Sequence, residues 1–413
     1  MKKIAFATVG CKVNQYETQV MRERVERKGC RIVSFSSPAD IYVINTCCVT
    51  AEADRKSLNL VKRALKQNPS ARVVVTGCLV EAEKERIKEK FPSVFIIKNP
   101  DKLKIDMFIQ KEGFSDFDFT IHRFSDHQRA FVKVEDGCDR FCTYCKIPYV
   151  RGSKIKSKSP DEVICEIKNL LDAGYREIVL VGVNLCLYGK DFNPPSSLTS
   201  LLEKILPLFE KKARLRLSSL EPHLIPDGLL EIMAGSGVIC PHLHLAFQSA
   251  DDRILERMGR GYTASYLREV VLRFKENIPQ LGLTGDVIVG FPGEGEENFE
   301  NTCRFVKEAG FHRLHIFTFS PREGTPAFSM TAQLDEKIKK RRSDILSGII
   351  RENSKKFIEK FTGKILPVLI EGKKDKKTGC YTGYSHNYIK VFVLGEEETF
   401  FAGEIFPVRI KEA

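Results

Sequence analysis

Short apolar runs alternate with longer stretches of mixed charge along the first hundred residues. Four of the runs have the length and composition of buried strands: KIAFATV (3–9), CRIVSF (30–35), IYVIN (41–45) and ARVVVT (71–76). Stretches with helical periodicity follow most of them, namely QYETQVMRERVERKG (15–29), SLNLVKRALKQN (57–68) and VEAEKERIKEKF (80–91). The alternation predicts an α/β domain over residues 1–120, with a Rossmann- or flavodoxin-like parallel sheet. The charged and less regular segment 99–129 is predicted to contain a linker.

The alternation resumes on a larger scale between residues 130 and 330. Six candidate strands are AFVKV (130–134), EIVLVGV (177–183), RLRLSSL (214–220), HLHLAF (242–247), DVIVGF (286–291) and RLHIFTF (313–319). Helical stretches such as PDEVICEIKNLLDAG (160–174) lie between most of them. Six units are too few for a closed eight-stranded barrel, so the pattern predicts a partial (β/α)6 barrel within a domain spanning 126–355.

The last part of the chain changes character. A basic amphipathic segment (334–361) leads out of the predicted barrel. The tail that follows is rich in strands, with the stretches ILPVLIEG, YTGYSHNYIKVFVL and EIFPVRIKE. This pattern predicts a small β-barrel over residues 358–413.

Composition narrows the class of protein. The 413 residues carry 66 Lys and Arg against 54 Asp and Glu, and a net charge of +12 favours a polyanionic partner, although a lysine-rich surface also serves solubility. No apolar run approaches the roughly 18 residues of a membrane span, so no membrane partner is expected. Thirteen cysteines without an export signal predict a reducing, cytoplasmic location, where cysteines more often bind metal or do redox chemistry than form disulfides.

Three cysteines lie in one loop directly after the first predicted barrel strand. CDRFCTYC places Cys138, Cys142 and Cys145 with the spacing C-x3-C-x2-C. A zinc site would have to borrow a distant fourth ligand, because no Cys or His follows within the next fifteen residues. Three thiolates suit a 4Fe–4S cube and leave one iron open. That iron can chelate the amino and carboxylate groups of S-adenosylmethionine.

The sequence around this loop, KVEDGCDRFCTYCKIPYVRG, is similar to the signature of the methylthiotransferases, a family of radical S-adenosylmethionine enzymes. Members of this family insert sulfur into a C–H bond and methylate it. The resemblance extends over nearly the whole chain. It implies that the central domain is a radical S-adenosylmethionine barrel, in which one electron from the cluster cleaves a carbon–sulfur bond of the cofactor.

Three further cysteines follow predicted strands of the first domain. Cys11 comes after IAFATVG, Cys47 after IYVINT and Cys78 after VVVTG. Because parallel strands end at one edge of a sheet, these thiols can meet although they are distant in sequence, whereas a single such cysteine would more often be a small buried hydrophobe. The motifs GCKVNQYE, NTCCVT and VTGC resemble those of the methylthiotransferase N-terminal domain. The resemblance implies a second 4Fe–4S cluster, and our hypothesis is that it holds the sulfur to be transferred.

Other strand ends are predicted to complete the S-adenosylmethionine site. By resemblance, Glu221 accepts from the methionine amine or ribose, Gln248 makes a similar polar contact and Arg253 meets a carboxylate. Gly290 would allow close approach of the adenine or ribose. Tyr144, between two cysteines of the loop, either packs the loop or forms a wall for the adenine. Each of these residues could instead be an ordinary loop or cap residue at the barrel rim.

The final fifty residues resemble the TRAM domain, a small RNA-binding β-barrel. Three tyrosines and five lysines are interleaved there: Tyr381, Tyr384, Tyr388, Lys373, Lys374, Lys376, Lys377 and Lys390. Aromatic and cationic side chains in this arrangement suit base stacking and phosphate contact, although the tyrosines could instead form the core of a hairpin.

The first cysteine motif, GCKVNQYET, resembles the family branch that acts on N6-threonylcarbamoyladenosine beside the tRNA anticodon. The branch acting on isopentenyladenosine usually has GCQMN there, and the branch acting on a ribosomal protein has GCPKN. The resemblance implies tRNA, an electron donor and a sulfur donor as partners. The alternatives are the other two branches and an iron–sulfur RNA-binding protein without chemistry of its own.

Overall fold

The computed structural model describes residues 1–109, 120–125, 127–209, 213–394 and 401–411. The chain divides into two compact units. The first comprises Met1–Ser125 and two later segments, Asp136–Arg140 and Cys145–Ile155, and the second comprises the rest. Residue 126, where the second domain is predicted to begin, and residues 110–119 of the predicted linker lie outside the described residues, and the three-domain division stays a prediction. No helix among the described residues has the length and apolar character that a bilayer crossing requires.

The first unit is built on a five-stranded parallel sheet in the order β2-β1-β3-β4-β5. The strands are β1 Lys3–Thr8, β2 Arg31–Val33, β3 Ile41–Thr46, β4 Arg72–Gly77 and β5 Phe95–Ile96. The helices are α1 Lys12–Arg27, α2 Ala51–Gln67, α3 Cys78–Lys90, α4 Ile105–Ile109 and α5 Ile147–Arg151. This arrangement confirms the predicted parallel-sheet domain.

Helices cover both faces of this sheet. Ile44 and Val75 pack in an apolar cluster with residues of α2 and α3. Val43 and Val74, whose side chains point to the opposite face, pack in a second cluster with residues of α1 and α4. Because successive strand residues alternate between faces, burial on both sides requires unbroken apolar runs, which is what IYVIN and ARVVVT provide.

Helix α2 begins six residues before the predicted start at Ser57. The side chain of Thr50 accepts a hydrogen bond from the backbone N–H of Ala53, so it satisfies one of the unbonded donors of the first turn. The carboxylates of Glu52 and Asp54 in that turn stabilise the helix by interacting with the positive end of its dipole. The polar segment therefore serves as a helix start rather than as a loop.

Part of the predicted linker is ordered against α1. A 3₁₀ turn spans Asn99–Lys104 and leads into α4. Arg24 Nε lies 2.8 Å from Asp106 Oδ1 in a buried ion pair. Lys102 is also buried, and its partner is Glu17. Charged residues that led to the prediction of a linker are thus paired inside the unit. The spacing of charged residues along the sequence does not reveal such buried pairs.

The second unit contains the six predicted barrel strands. The central strands of the chain are β6 Ala130–Lys133, β7 Glu135–Asp136, β8 Lys156–Ser157, β9 Glu177–Val181, β10 Arg214–Leu217, β11 His242–Gln248, β12 Gly282–Val289 and β13 Arg313–Thr318. Two parallel three-stranded sheets, β10-β9-β6 and β11-β12-β13, are connected by the parallel bridges Leu215–Ile239 and Leu220–Leu245. The helices are α6 Pro160–Asp172, α7 Leu198–Ile205, α8 Leu229–Gly235, α9 Asp252–Arg257, α10 Ala264–Asn277, α11 Glu296–Ala309 and α12 Glu336–Glu359. The predicted partial barrel is confirmed.

The two faces of the barrel strands differ sharply in polarity. Phe247 of β11 packs edge-on against Phe305 of α11, so its face of the strand is covered by helices. His242 and His244 lie on the other face, which we call the inner face, and both bond to Thr284 of β12. The alternation in HLHLAF therefore separates an apolar outer face from a polar inner one.

The C-terminal segment forms a four-stranded antiparallel sheet in the order β16-β15-β14-β17. Its strands are β14 Ile365–Lys374, β15 Tyr381–Ser385, β16 Lys390–Val393 and β17 Ile405–Arg409. Phe357 at the end of α12 packs into its apolar core. The sheet confirms the predicted small C-terminal β-domain.

Two arginines of β10 connect this sheet to the barrel by hydrogen bonds to backbone carbonyl oxygens. Arg214 donates to the carbonyl oxygens of Pro367 and Tyr384 at 2.9 and 2.8 Å. Arg216 donates to the carbonyl oxygen of His386 at 3.0 Å. Both guanidinium groups also pair with the fully buried Glu177. Burial alone would raise the pKa of Glu177, but the two arginines outweigh it and hold that pKa well below its usual range.

Candidate metal centres and cofactor site

The three cysteines of the first unit, which we call the sheet-edge triad, follow three neighbouring strands. Strands β1, β3 and β4 are adjacent, and their register aligns Thr8 with Asn45 and Thr46 with Gly77. Cys11 precedes α1, Cys47 follows β3 and Cys78 begins α3. The structure thus brings the three predicted ligands to one sheet edge.

Cys11 and Cys47 approach each other through the backbone of Gly10. Gly10 has a φ of +108°, and a Cβ at this position would lie 2.7 Å from Cys47 Cβ and 2.8 Å from its Sγ. Any other residue would therefore displace the thiol of Cys47. The glycine in the GCK motif allows the chain that carries Cys11 to pass directly against Cys47.

Burial keeps two of these thiols protonated in the absence of metal. It raises the pKa of Cys47 to about 12, a hydrogen bond from the Val49 backbone opposes the shift, and the thiols of Cys78 and Cys11 add to it. Burial also raises the pKa of Cys78, whereas the charges of Arg151 and Lys102 oppose the increase. A metal that binds here must displace protons, as iron does when it binds cysteine.

A buried network of charges lies close to the sheet-edge triad. Both side-chain oxygens of Glu17 accept from Arg151, at 3.0 and 2.9 Å, and Glu17 Oε2 also lies 2.5 Å from Lys102 Nζ. Arg151 donates further to Asp136 and Asn14, and its side chain is only 1% exposed. The two cations beside Cys78 favour thiolate ligands and the anionic cluster that three thiolates would hold.

Sequence reasoning missed both cations. Arg151 belongs to KIPYVRG, the stretch after the cysteine loop, so its place in the family motif could have drawn attention to it. Lys102 lies in an irregular charged segment, where nothing distinguishes it from exposed lysines. Only its burial against Glu17 reveals its position.

The second set of cysteines, Cys138, Cys142 and Cys145, is called the loop triad. The backbone N–H of Cys138 donates to Gly152, and Phe141 adopts a left-handed φ of +46° that tightens the loop. Cys138 and Cys145 belong to the first unit and Cys142 to the second. The ligand roles of all six cysteines stay predictions, and the C-x3-C-x2-C spacing in sequence fits an iron–sulfur cluster with one open iron.

A buried polar cluster surrounds Cys142 in the second unit. Arg260 Nη1 donates to Cys142 Sγ at 3.4 Å and lies 3.0 Å from Glu221 Oε1. Asn184 Nδ2 donates to the other carboxylate oxygen of Glu221 at 2.8 Å. Hydrogen bonds to cluster sulfurs tune iron–sulfur centres, so this cluster links the predicted cofactor residue Glu221 to a predicted iron ligand.

The other predicted cofactor residues occupy different environments. Gln248 ends β11 after a register shift and has a φ of +65°, a conformation that is uncommon for a residue other than glycine and is concentrated at functional sites. Arg253 is exposed on α9. Tyr144 packs edge-on against Phe291 with ring centroids 6.5 Å apart, so it does pack the loop. The roles of these residues in cofactor binding stay predictions.

Gly290 has a structural reason of its own to be glycine. Its φ is +75°, and a Cβ would lie 2.4 Å from Lys339 Cγ of α12. Its backbone N–H donates to Glu294 Oε2 at 2.6 Å. Close approach of α12 therefore explains this glycine without a cofactor.

Arg260 and Asn184 were also missed from the sequence. Asn184 lies in VGVNLCLYG, which follows the predicted strand EIVLVGV, so its place at a strand end was the available signal. Arg260 follows α9 without any informative spacing, and the arginine predicted for the cofactor site was Arg253, as the partner of a carboxylate. A more general signal was the alternation of leucine with arginine in RLRL and with histidine in HLHL, which indicates that one face of these barrel strands is polar.

Two of the three C-terminal tyrosines point into the second unit. Tyr388 stacks on His242 with centroids 4.5 Å apart and on Tyr384 with centroids 5.0 Å apart. The guanidinium of Arg129 lies 4.8 Å from the ring centroid of Tyr384 and that of Arg216 lies 4.7 Å from the centroid of Tyr388. These rings help to join the C-terminal sheet to the barrel.

Two further rings of the C-terminal sheet pair with lysines, one on each face of the sheet. Lys374 Nζ lies 4.9 Å above the ring of Tyr381, and Lys390 Nζ lies 4.8 Å above the ring of Phe392. Phe392 is 47% exposed. The side chain of Lys373 lies outside the described residues. Tyr381 is half-buried and packs against the apolar core of the sheet, so Phe392 with Lys390 is the pair that offers stacking and phosphate contact together.

Comparison with known proteins connects these features. Residues 3–98 match the family described as Uncharacterized protein family UPF0004, and residues 132–306 match the Radical SAM superfamily. The chain is 36% identical over 431 residues to the Threonylcarbamoyladenosine tRNA methylthiotransferase MtaB of Bacillus subtilis, covering 100% of this chain and 94% of the relative. The protein of the same name from Thermotoga maritima is 35% identical, with 100% and 95% covered.

Among solved structures, the chain resembles the radical S-adenosylmethionine methyltransferase TsrM from Kitasatospora setae. The TM-score is 0.58, the sequence identity 13%, and the match covers 79% of this chain and 77% of that one. At this identity the similarity concerns the fold alone. It agrees with an α/β chain that contains a radical S-adenosylmethionine barrel.

Proposed function

The chain belongs to the family of radical S-adenosylmethionine methylthiotransferases, and on this basis we propose that it converts N6-threonylcarbamoyladenosine in tRNA into its 2-methylthio derivative. The observation that carries the proposal is the sheet-edge triad. Cleavage of S-adenosylmethionine requires only one cluster, whereas a second open cluster suits an enzyme that must also deliver sulfur. The names of the relatives in Bacillus subtilis and Thermotoga maritima support this substrate.

Two 4Fe–4S clusters and S-adenosylmethionine are the proposed cofactors. The loop triad would hold one cluster and the sheet-edge triad the other. When bound, the first cluster supplies the electron that cleaves S-adenosylmethionine. The donor sets fit these groups, because each offers three thiols and each has a buried arginine nearby, Arg260 for the loop triad and Arg151 for the sheet-edge triad.

The residues around Glu221 prepare a site for a cation. Asn184 donates a hydrogen bond to one oxygen of the Glu221 carboxylate and Arg260 forms an ion pair with the other, so the carboxylate has a fixed orientation. Each carboxylate oxygen can accept more than one hydrogen bond. Glu221 can therefore still accept a hydrogen bond from the methionine amine. Arg260 contacts both Glu221 and the Cys142 sulfur, so it fixes their positions relative to each other.

The exposed ring and the lysines of the C-terminal sheet form the proposed tRNA contact. Phe392 would stack on an unpaired base of the anticodon loop, and Lys390 and Lys374 would meet its phosphates. Tyr384 and Tyr388 have no part in this contact, because they pack within the second unit. An electron donor and a sulfur donor complete the proposed set of partners, and the cytoplasm is the proposed location.

Mass spectrometry of tRNA hydrolysates tests the function. A strain that lacks the gene should accumulate N6-threonylcarbamoyladenosine and lose its 2-methylthio derivative, and the intact gene should restore the product. A gene encoding Cys11→Ala should not restore it, although the protein should still be present. Loss of 2-methylthio-isopentenyladenosine instead would assign the other tRNA branch, and unchanged nucleosides would contradict a tRNA substrate.

A further inference from the structure

A group of polar side chains on the inner face contains none of the six cysteines. It spans three neighbouring strands of the second unit: His242 and His244 on β11, Thr284 and Asp286 on β12, and His315 on β13. The parallel register places His244 opposite Thr284 and Asp286 opposite His315. None of these residues belongs to the predicted cofactor site.

Three of these side chains converge on one point. Asp286 Oδ1 lies 3.2 Å from His244 Nε2 and 3.0 Å from His315 Nδ1. All three ligand atoms lie within 4.8 Å of one another. Ligands bonded at 2.0–2.1 Å to one tetrahedral ion are separated by roughly 3.3 Å, so the observed spacing needs little adjustment to hold an ion.

Thr284 orients one of the imidazole rings. Its Oγ1 lies 2.7 Å from His244 Nδ1 and 2.8 Å from His242 Nε2. If Thr284 accepts from His244 Nδ1–H and donates to His242, the lone pair of His244 Nε2 faces Asp286. A hydrogen bond at the other ring nitrogen is the usual partner of a metal-binding histidine.

Asp286 supplies the carboxylate ligand, and its Oδ1 lies between the two imidazole rings. His315 is 49% exposed, so the group remains open on one side. An ion held by three protein ligands would keep a coordination position for an oxygen donor from outside.

We propose that His244, Asp286 and His315 bind a divalent first-row transition-metal ion on the inner face of the barrel, separate from both cysteine triads. Two histidines and one carboxylate suit ions such as Zn²⁺, Fe²⁺ or Co²⁺ and are a poor match for Mg²⁺ or Ca²⁺, which prefer all-oxygen sites. The inference does not depend on the proposed tRNA substrate.

Co²⁺ titration of the reconstituted holoprotein tests the site. The protein is prepared without oxygen, with both clusters loaded and oxidised, and then washed with a chelator. Oxidised 4Fe–4S clusters have no net spin, so electron paramagnetic resonance reports the added high-spin Co²⁺ alone. We expect about one tightly held Co²⁺ per chain, counted by metal analysis after dialysis.

Variants locate the ion. His315→Ala and His244→Ala should each weaken Co²⁺ binding at least about tenfold, because each removes one of three ligands. His122→Ala is the matched control: His122 also lies beside a carboxylate, 3.3 Å from Glu23, but no third ligand joins the pair among the residues that the structure describes, and its removal should leave Co²⁺ binding unchanged. His315 is half exposed, so its variant should fold even if His244→Ala does not. No retained Co²⁺, or undiminished binding in His315→Ala, would overturn the proposal and leave the group as a network of hydrogen bonds.

Discussion

The sheet-edge triad collects its cysteines from three strands, whereas the loop triad takes all three from one turn of chain. Cys11, Cys47 and Cys78 meet because β1, β3 and β4 are neighbours in the sheet. Cys138, Cys142 and Cys145 are close in sequence before any tertiary structure forms. The first set therefore depends on long-range folding and the second on local geometry.

The electrostatic settings of the two triads are nevertheless alike. A buried Arg151 bonded to Glu17 acts on Cys78, and a buried Arg260 bonded to Glu221 contacts Cys142. In each case the carboxylate holds the guanidinium in place, and the guanidinium favours negative charge on sulfur. The two sites therefore differ in how their cysteines are brought together, but in both a buried arginine stabilises negative charge on a cysteine sulfur.

Removal of one ligand from each triad should give the largest contrast. Cys138→Ala should abolish formation of deoxyadenosine from S-adenosylmethionine under dithionite, whereas Cys11→Ala should retain that reaction and lose the methylthio product. Each variant should drop from about eight irons per chain to about four. Methylthio product from Cys11→Ala, or deoxyadenosine from Cys138→Ala, would reverse the assignment.

Arg151→Met should destabilise the protein most among the cation variants. It leaves the buried Glu17 with Lys102 as its remaining charged partner, and breaking a buried ion pair typically costs about 3–5 kcal/mol of unfolding free energy. Urea unfolding followed by circular dichroism measures the change. Arg86→Met, which removes an exposed partner of Glu83, is the control and should leave the midpoint unchanged. Equal midpoints for the two variants would show that the Glu17 network is not important for folding.

Arg260→Lys should affect activity rather than folding. Lysine keeps the charge but has a single terminal nitrogen, so it cannot contact Cys142 and Glu221 and also donate to the Ala246 carbonyl, as Nη1 and Nη2 of Arg260 do together. Deoxyadenosine formation should therefore slow about ten- to a hundredfold with iron content unchanged. A higher KM for S-adenosylmethionine would indicate that Glu221 is displaced, and a lower kcat that the cluster is affected. Arg268→Gln removes an exposed arginine that pairs with Glu308 and should behave as the unaltered protein. An unchanged rate in Arg260→Lys would assign Arg260 a purely structural role.

Iron removal should affect the two triads to different extents. The backbone at Cys47 and Cys78 belongs to buried ends of sheet strands, and these residues are 4% and 2% exposed. The loop 138–145 has no strand or helix of its own. Without iron, amide hydrogen exchange should therefore rise about tenfold in the loop and much less at 46–48 and 77–79. Equal increases would mean that the sheet edge also depends on its cluster.

Both cysteine sets and the three regions of the fold could be predicted from the sequence. Apolar runs with period two or 3.6 identify buried strands and helices because burial is a local requirement on each residue. The starting points of elements were less accurate. Strand β12 begins at Gly282 rather than Asp286, because its pairing with His242 of β11 extends it, and pairing partners do not appear in a local pattern.

The linear chain determined the strands, the helices and the spacing of the loop triad, since each rests on residues close in sequence. Only the tertiary structure decided that Arg151 and Lys102 join Glu17, that Arg260 pairs with Glu221, and that Tyr384 and Tyr388 turn inward. A charged or aromatic side chain acquires its role from its partners and from the water excluded around it. Residues far apart in sequence supply both, and no local pattern encodes them.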